Sequence, residues 1–381
     1  MGDSRLEASS VQDDLSGLRP RPGIMEINPY VGGKASLDAQ EEVIKLSSNE
    51  SALGPSPRAI EAFRQTAQEL HRYPDGGSQA LRSALGRRFN LDPEQLCCGA
   101  GSDELIALLT RAYAGPGDEV LYSQHGFLMY RLSALGAGAH PVAASEENLR
   151  ASPANILAHV TSRTRLVFLA NPNNPTGSYL PRDELAALAE ALPPDVLFVI
   201  DSAYAECADA EDYGAGDELV RRFPNVVMLR TFSKLYGLAA LRLGWMYADP
   251  KVIDVINRTR GPFNVSLPAQ AAGIAALEDV AHQNQARAHN THWRRWVSEE
   301  LNTIGLKVHP SLGNFVLIEF PEQSGQSAAD ANTYLERHGL IPRLVASYGL
   351  PHCLRVSIGL EHENRRLVEL LQGFVRESGI G

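Results

Sequence analysis

The sequence predicts an α/β fold: a large domain with a mostly parallel central sheet flanked by helices, followed by a smaller α+β domain. Three observations carry this expectation. First, the apolar runs RLVFLA (165–170), VLFVID (196–201) and VVMLR (226–230) recur about every thirty residues. Second, segments of helical periodicity lie between them, and strands so spaced form right-handed βαβ units with both sheet faces covered. Third, the pattern changes beyond about residue 275, where a long polar helical segment leads into two isolated strand-like runs.

The elements follow in order. Residues 1–23, MGDSRLEASSVQDDLSGLRPRPG, carry acids early and have no hydrophobic signal-peptide core. Leu6 stands where a myristoylation signal has Ser or Thr. This stretch reads as a loose polar arm that packs against the C-terminal unit. DELIALLTRAY (103–113) reads as a helix and EVLYS (119–123) as a strand. RLVFLA runs into the turn-rich NPNNPTG (171–177), and PRDELAALAEAL (181–192) follows as a helix with Pro181 near its start. VLFVID and VVMLR are the next strands. DVAHQNQARAHNTHWRRWVSEELNTIG (279–305) is the long polar helix, and GNFVLIEF (313–320) and LRVSIG (354–359) belong to the smaller unit. The expected division is an arm and part of the small domain at 1–45, a large domain at 46–275 and a small domain at 276–381.

Composition bounds the function. The chain has 381 residues, 44% hydrophobic and 21% charged, as in an ordinary globular protein with a large core. A net charge of −10 argues against nucleic acid or an acidic membrane as the main partner, but leaves room for a local basic pocket. No apolar run approaches a membrane span. Cys97, Cys98, Cys207 and Cys353 have no metal-ligand spacing, which points to reduced thiols in a cytoplasmic protein and to no bound metal.

In open parallel sheets, ligands sit beyond the carboxyl ends of the strands. After RLVFLA comes Asn174. At the end of VLFVI come Asp201 and Tyr204, in DSAYAE. After VVML come Thr231, Ser233 and Lys234, in TFSK, with Arg242 further on. GAGSDE (99–104), with Gly101, Ser102 and Asp103, is a small-residue turn entering a helix. Each has an ordinary explanation: a turn, a helix cap, a core tyrosine, a surface lysine. Together they suit one ligand. A helix start and the Ser233, Thr231 and Arg242 donors suit a phosphate. Asp201 suits a protonated ring nitrogen, and Asn174 and Tyr204 suit a ring oxygen. Lys234 is then an amine beside an aldehyde. That ligand is pyridoxal phosphate, held as a Schiff base.

The same residues carry a resemblance. In combination and order, NPNNPTG, D-x-A-Y and T-F-S-K with an Arg eight positions after the lysine resemble the fold-type-I aminotransferases, and most closely the histidinol-phosphate aminotransferases. YPDGG (73–77) and GPFNVS (261–266) resemble the same branch, and the likeness runs from INPYVGG (27–33) to LRVSIG. The resemblance implies that Lys234 bonds the cofactor and moves the substrate proton. It implies that Asp201 pairs with the ring nitrogen, and that Asn174 and Tyr204 bind the phenolic oxygen. Gly101, Ser102, Asp103, Thr231, Ser233 and Arg242 would surround the phosphate. Phe127 takes the place of the stacking aromatic, where many relatives have Tyr, so the ring can stack but has no hydroxyl to offer. Tyr73 resembles a tyrosine that reaches the phosphate of a second subunit, which implies a homodimer. Arg355, Arg343 and Tyr30 resemble residues that bind the anionic parts of the substrate.

The implied reaction is amino exchange between L-histidinol phosphate and 2-oxoglutarate in histidine biosynthesis, with a small-molecule amino donor and a 2-oxo acid as the only partners beyond a second copy. An aromatic aminotransferase and a decarboxylase of a phosphorylated amino acid remain open alternatives on the same scaffold. A purely regulatory cofactor-binding domain is disfavoured, because the arm is too short and polar to be a helix-turn-helix.

Overall fold

The computed structural model describes residues 19–29, 32–34, 36, 37 and 43–380. Its strands are β1 (Ile44–Lys45), β2 (Leu96–Gly99), β3 (Glu119–Ser123), β4 (His140–Ala144), β5 (Thr164–Ala170), β6 (Leu197–Asp201), β7 (Val226–Thr231), β8 (Gly244–Ala248), β9 (Lys307–His309), β10 (Phe315–Glu319), β11 (Leu340–Ile341), β12 (Arg343–Val345) and β13 (Leu350–Ser357). A seven-stranded sheet has the order β2-β8-β7-β6-β5-β3-β4, and a four-stranded antiparallel sheet the order β12-β13-β10-β9. The short β1 pairs in parallel with β11.

The central sheet is mostly parallel, as expected. Only β8 runs antiparallel to its neighbours β7 and β2. The cause is the connection 232–243. It contains no crossover helix, and Phe232 N–H donates to the Leu243 carbonyl at 2.9 Å, so the chain turns straight back. Every residue of β3, β6, β7 and β8 is buried, because helices cover both faces. Val167, Phe198, Met228 and Trp245 belong to the apolar cluster on one side of the sheet. Leu166, Phe168, Val199 and Leu229 belong to the cluster on the other.

The helix Ser102–Tyr113 buries Leu105, Ile106, Leu108 and Leu109 on one stripe. The helix Arg182–Ala191 buries Leu185, Leu188 and Ala189, and Pro181 is its cap rather than its first residue. The long polar segment forms the helix Val280–Thr303, started by the Asp279 side chain. Its Trp293, Val297 and Leu301 join Leu46, Val316, Val356 and Leu371 in a third apolar cluster.

The arm departs from expectation in part. Ile44–Lys45 and Lys34, which pairs with Glu336 at 2.7 Å, do lie against C-terminal elements. Residues 21–26 do not. Arg21 donates to the Gly136 carbonyl, and a Cβ on Gly23 would come 3.2 Å from Leu135 O, so this stretch packs on the helix Leu128–Ala137 instead.

Candidate active site

One cavity of about 250 Å³ opens at the carboxyl ends of β5, β6 and β7. Its lining includes Ser102, Asp103, Phe127, Asn174, Asp201, Tyr204, Thr231, Ser233, Lys234, Arg242, Arg343 and Arg355. Three strand ends and a helix start converge there because the parallel strands all finish on the same side.

At the anionic end, Gly101 adopts φ 86 and ψ 164, a backbone open essentially only to glycine, and leads into the helix Ser102–Tyr113. A Cβ on Gly101 would lie 2.5 Å from Arg242 Nη2, so Gly101 backs the cavity without lining it. Arg242 itself sits at φ 50 and reaches Asp103 Oδ2 at 3.1 Å and Ser233 Oγ at 3.4 Å. Thr231 Oγ1 donates to Ser233 Oγ at 3.0 Å and accepts from the Ser233 N–H. A helix start, two hydroxyls and a guanidinium make an anion cradle.

In the middle, Asp201 ends β6 and is buried. Tyr130 donates to its Oδ2 at 2.8 Å, whereas Oδ1 has no hydrogen-bond partner among the described residues. Burial pushes the Asp201 carboxyl up to about 6, against the pull of the Tyr130 hydrogen bond. A buried carboxylate oxygen without a donor is a site waiting for a cation such as a protonated ring nitrogen. Pyridoxal phosphate therefore fits the donor set: an anion cradle, an orphaned carboxylate oxygen and an amine gathered on one cavity. Lys234 Nζ lies 3.5 Å from the Ser48 carbonyl and 5.6 Å from the Tyr204 ring centre. Phe127 meets Tyr130 edge-on at 5.9 Å, and its ring lines the cavity.

At the far end, Arg355 is buried. It donates to Asn174 Oδ1 and, at 2.8 Å, to the Ser47 carbonyl; its Nε has no partner among the described residues. Asn174 stands in a pinned loop rather than a free turn. Asn171 bonds both backbone groups of Leu180, and Asn173 donates to Thr176 Oγ1 at 2.9 Å. The bonds Asn171–Pro172 and Asn174–Pro175 are cis.

Among the described expected residues, Tyr73 as well as Gly101 does not line this cavity. Tyr73 is 82% exposed and stacks on Phe263 at 4.6 Å, away from its own chain's site. Tyr30 lies outside the described residues. Sequence reasoning in turn missed Ser47, Ser48, Asn49, Glu50, Tyr130 and Tyr348. The cluster LSSNE (46–50) follows the two-residue β1, too short to read as a strand. Tyr130 sits three residues after Phe127, one helical turn on, and that spacing was the available signal.

Residues 41–371 match the family described as aminotransferase class I and II, and the chain belongs to that family. Within it, the chain is 54% identical to a histidinol-phosphate aminotransferase of Paramagnetospirillum magneticum, over 95% of this chain and 99% of the relative. It is equally 54% identical to one of Rhodospirillum centenum, over 95% and 100%. The crystal structure of a histidinol-phosphate aminotransferase from Sinorhizobium meliloti in complex with pyridoxal-5'-phosphate superposes with a TM-score of 0.87 at 30% identity, over 94% of this chain and 98% of that one.

Proposed function

We propose that this chain is a histidinol-phosphate aminotransferase that uses pyridoxal phosphate to exchange an amino group between L-histidinol phosphate and 2-oxoglutarate. The observation that carries the reading is the buried Asp201, with one oxygen held by Tyr130 and the other without a partner among the described residues, in the lining of a cavity shared with Lys234 and Arg242. The 54% identical relatives support the substrate assignment.

When bound, the cofactor supplies an aldehyde carbon for the amino group and an electron sink for the substrate's α-carbon. The chain does the rest. Ser102, Thr231, Ser233 and Arg242 hold the phosphate, with Gly101 giving them room. Asp201 Oδ1 keeps the ring nitrogen protonated. Asn174 and Tyr204 hold the phenolic oxygen, and Phe127 covers the ring. Lys234 Nζ carries the proton to and from the α-carbon as general base and acid. Arg355 and Arg343 bind the anionic ends of the two substrates in turn.

We also infer a homodimer. The exposed apolar side chains Ile60, Phe63, Leu70, Tyr73 and Phe263 support an interface, with Tyr73 directed to the partner's phosphate. We assign 46–275 to the large domain and 276–381, with 1–45, to the small one; the central sheet spans 96–248 and the four-stranded sheet 307–357. Among the described residues no helix is long and apolar enough to cross a membrane. The four cysteines are buried free thiols, and burial pushes Cys97 up to about 11. We place the enzyme in the cytoplasm on that basis.

The test uses cofactor-loaded protein mixed with single amino donors and no 2-oxo acid. Rapid loss of the visible band with L-histidinol phosphate, and much slower loss with L-phenylalanine, L-tyrosine and L-threonine phosphate, is expected. Equal or faster loss with the aromatic amino acids would move the chain to an aromatic aminotransferase. Release of carbon dioxide would make it a decarboxylase.

A further inference from the structure

We propose that Asn49 is a positioning residue that aims the hydroxyl proton of Tyr204 into the cavity, toward the phenolic oxygen of the cofactor. The proposal rests on the cofactor reading above and extends it to a residue outside the expected site.

Asn49 is fully buried and sits at φ 54, a left-handed backbone that Asn tolerates better than most residues. Three contacts fix it. Its N–H donates to Ser357 Oγ at 2.8 Å, and its carbonyl accepts from Asn314 Nδ2 at 2.9 Å. Its Nδ2 donates to the Tyr204 hydroxyl at 2.8 Å. The orientation of the amide follows from its neighbours. Ser357 Oγ already accepts from the Asn49 backbone, and it lies 3.4 Å from Oδ1, so its own proton is available to that oxygen. The nitrogen therefore faces the phenol.

The consequence is directional. A phenol has one proton to give. The amide N–H occupies an acceptor position on the oxygen and cannot take that proton. Phe315 packs edge-on against the Tyr204 ring, 5.2 Å between centres at 77°, so the ring is held in place. The remaining direction for the O–H is the cavity that Tyr204 lines. Burial raises the phenol well above its ordinary value, so the proton is present to be donated. Asn49 thus uses β13 and the loop before β10 as its anchor, and keeps Tyr204 a donor.

The experiment replaces the donor by an acceptor of the same size, Asn49→Asp, and titrates the visible band of the pyridoxal-phosphate-loaded protein against pH. Tyr204 then gives its proton to the new carboxylate, and the cofactor's phenolate is left without that donor. The midpoint should rise by about one pH unit, in the direction also expected for Tyr204→Phe, and cofactor affinity should fall on the order of fivefold. In the Tyr204→Phe background the same substitution should add nothing. An unchanged midpoint in the single variant, or an equal rise in both backgrounds, overturns the proposal. Ser357→Ala is the second variant in case Asn49→Asp does not fold. It releases the amide to turn over, and should raise the midpoint only when Tyr204 is present; no rise counts against the proposal. The titration needs no amino donor. A wild-type protein that titrates normally yet leaves its band unchanged with every amino donor would sink the transaminase reading and leave the Asn49 result standing.

Discussion

Asp201 is the residue at which stability and function pull in opposite directions. Its carboxyl is raised from 3.8 to about 6 in the folded chain, with burial the largest cause. The sign follows. Between about pH 4 and 6 the folded chain holds a proton that the unfolded chain has lost, so stability falls as pH rises through that window. Above pH 6 the cost levels off on the order of 3 kcal/mol in the cofactor-free protein. Asp201→Asn removes this cost. The cofactor-free variant is expected to be at least as stable as the parent at pH 8, with the advantage gone at pH 3.5, read from urea midpoints. Its turnover should fall by at least about a hundredfold, because an amide cannot hold a pyridinium proton. A variant less stable than the parent at pH 8 would mean that the attractions on the Asp201 carboxylate, the Tyr130 hydrogen bond first among them, outweigh the cost of its burial.

At the scale of elements, two glycine turns hold the site in register. Gly177, at φ 77, ends the NPNNPTG loop, and its carbonyl accepts from Leu312 N–H at 2.9 Å. A Cβ there would lie 2.4 Å from the Ser311 side chain. Gly177→Ala is expected to lower stability on the order of 2 kcal/mol and to weaken activity through Asn174, measured by denaturant midpoint and kcat. Gly101→Ala would push on Arg242 and should weaken pyridoxal phosphate binding by roughly tenfold, by equilibrium titration. The parallel strands β5, β6 and β7 were legible in the sequence because buried parallel strands are unbroken apolar runs. NPNNPTG, DSAY and TFSK were legible because polar residues at the ends of such runs are conspicuous. Other elements were not. β2 and β8 are short and pair antiparallel through a connection that apolar periodicity does not reveal. β4 is an edge strand with mixed burial. Asn49 follows a two-residue strand that is defined only by its pairing with β11, and Tyr130 reads as an ordinary core aromatic until its hydroxyl is seen on Asp201.

At the scale of the whole molecule, the exposed Tyr73 makes the proposed dimer testable by complementation. Lys234→Ala lacks the proposed proton carrier and Tyr73→Ala lacks the side chain proposed to reach the partner's phosphate. In a hybrid dimer of the two, one site has both residues intact if Tyr73 acts across the interface, and neither has if it acts within its own chain. Mixing the variants under conditions that exchange subunits is expected to give more activity than the two measured separately. No gain would place Tyr73 outside the partner's site.

The proposed cofactor site, built from separate segment ends, turns on Lys234. Its most direct measurement is chemical. Protein loaded with pyridoxal phosphate is reduced with borohydride, digested and mapped by mass. The expected result is a single cofactor-modified peptide, bearing the label on Lys234, and no stoichiometric label in Lys234→Ala. A label on Lys34, Lys45, Lys251 or Lys307 in place of Lys234, or no stable label at all, would contradict the account.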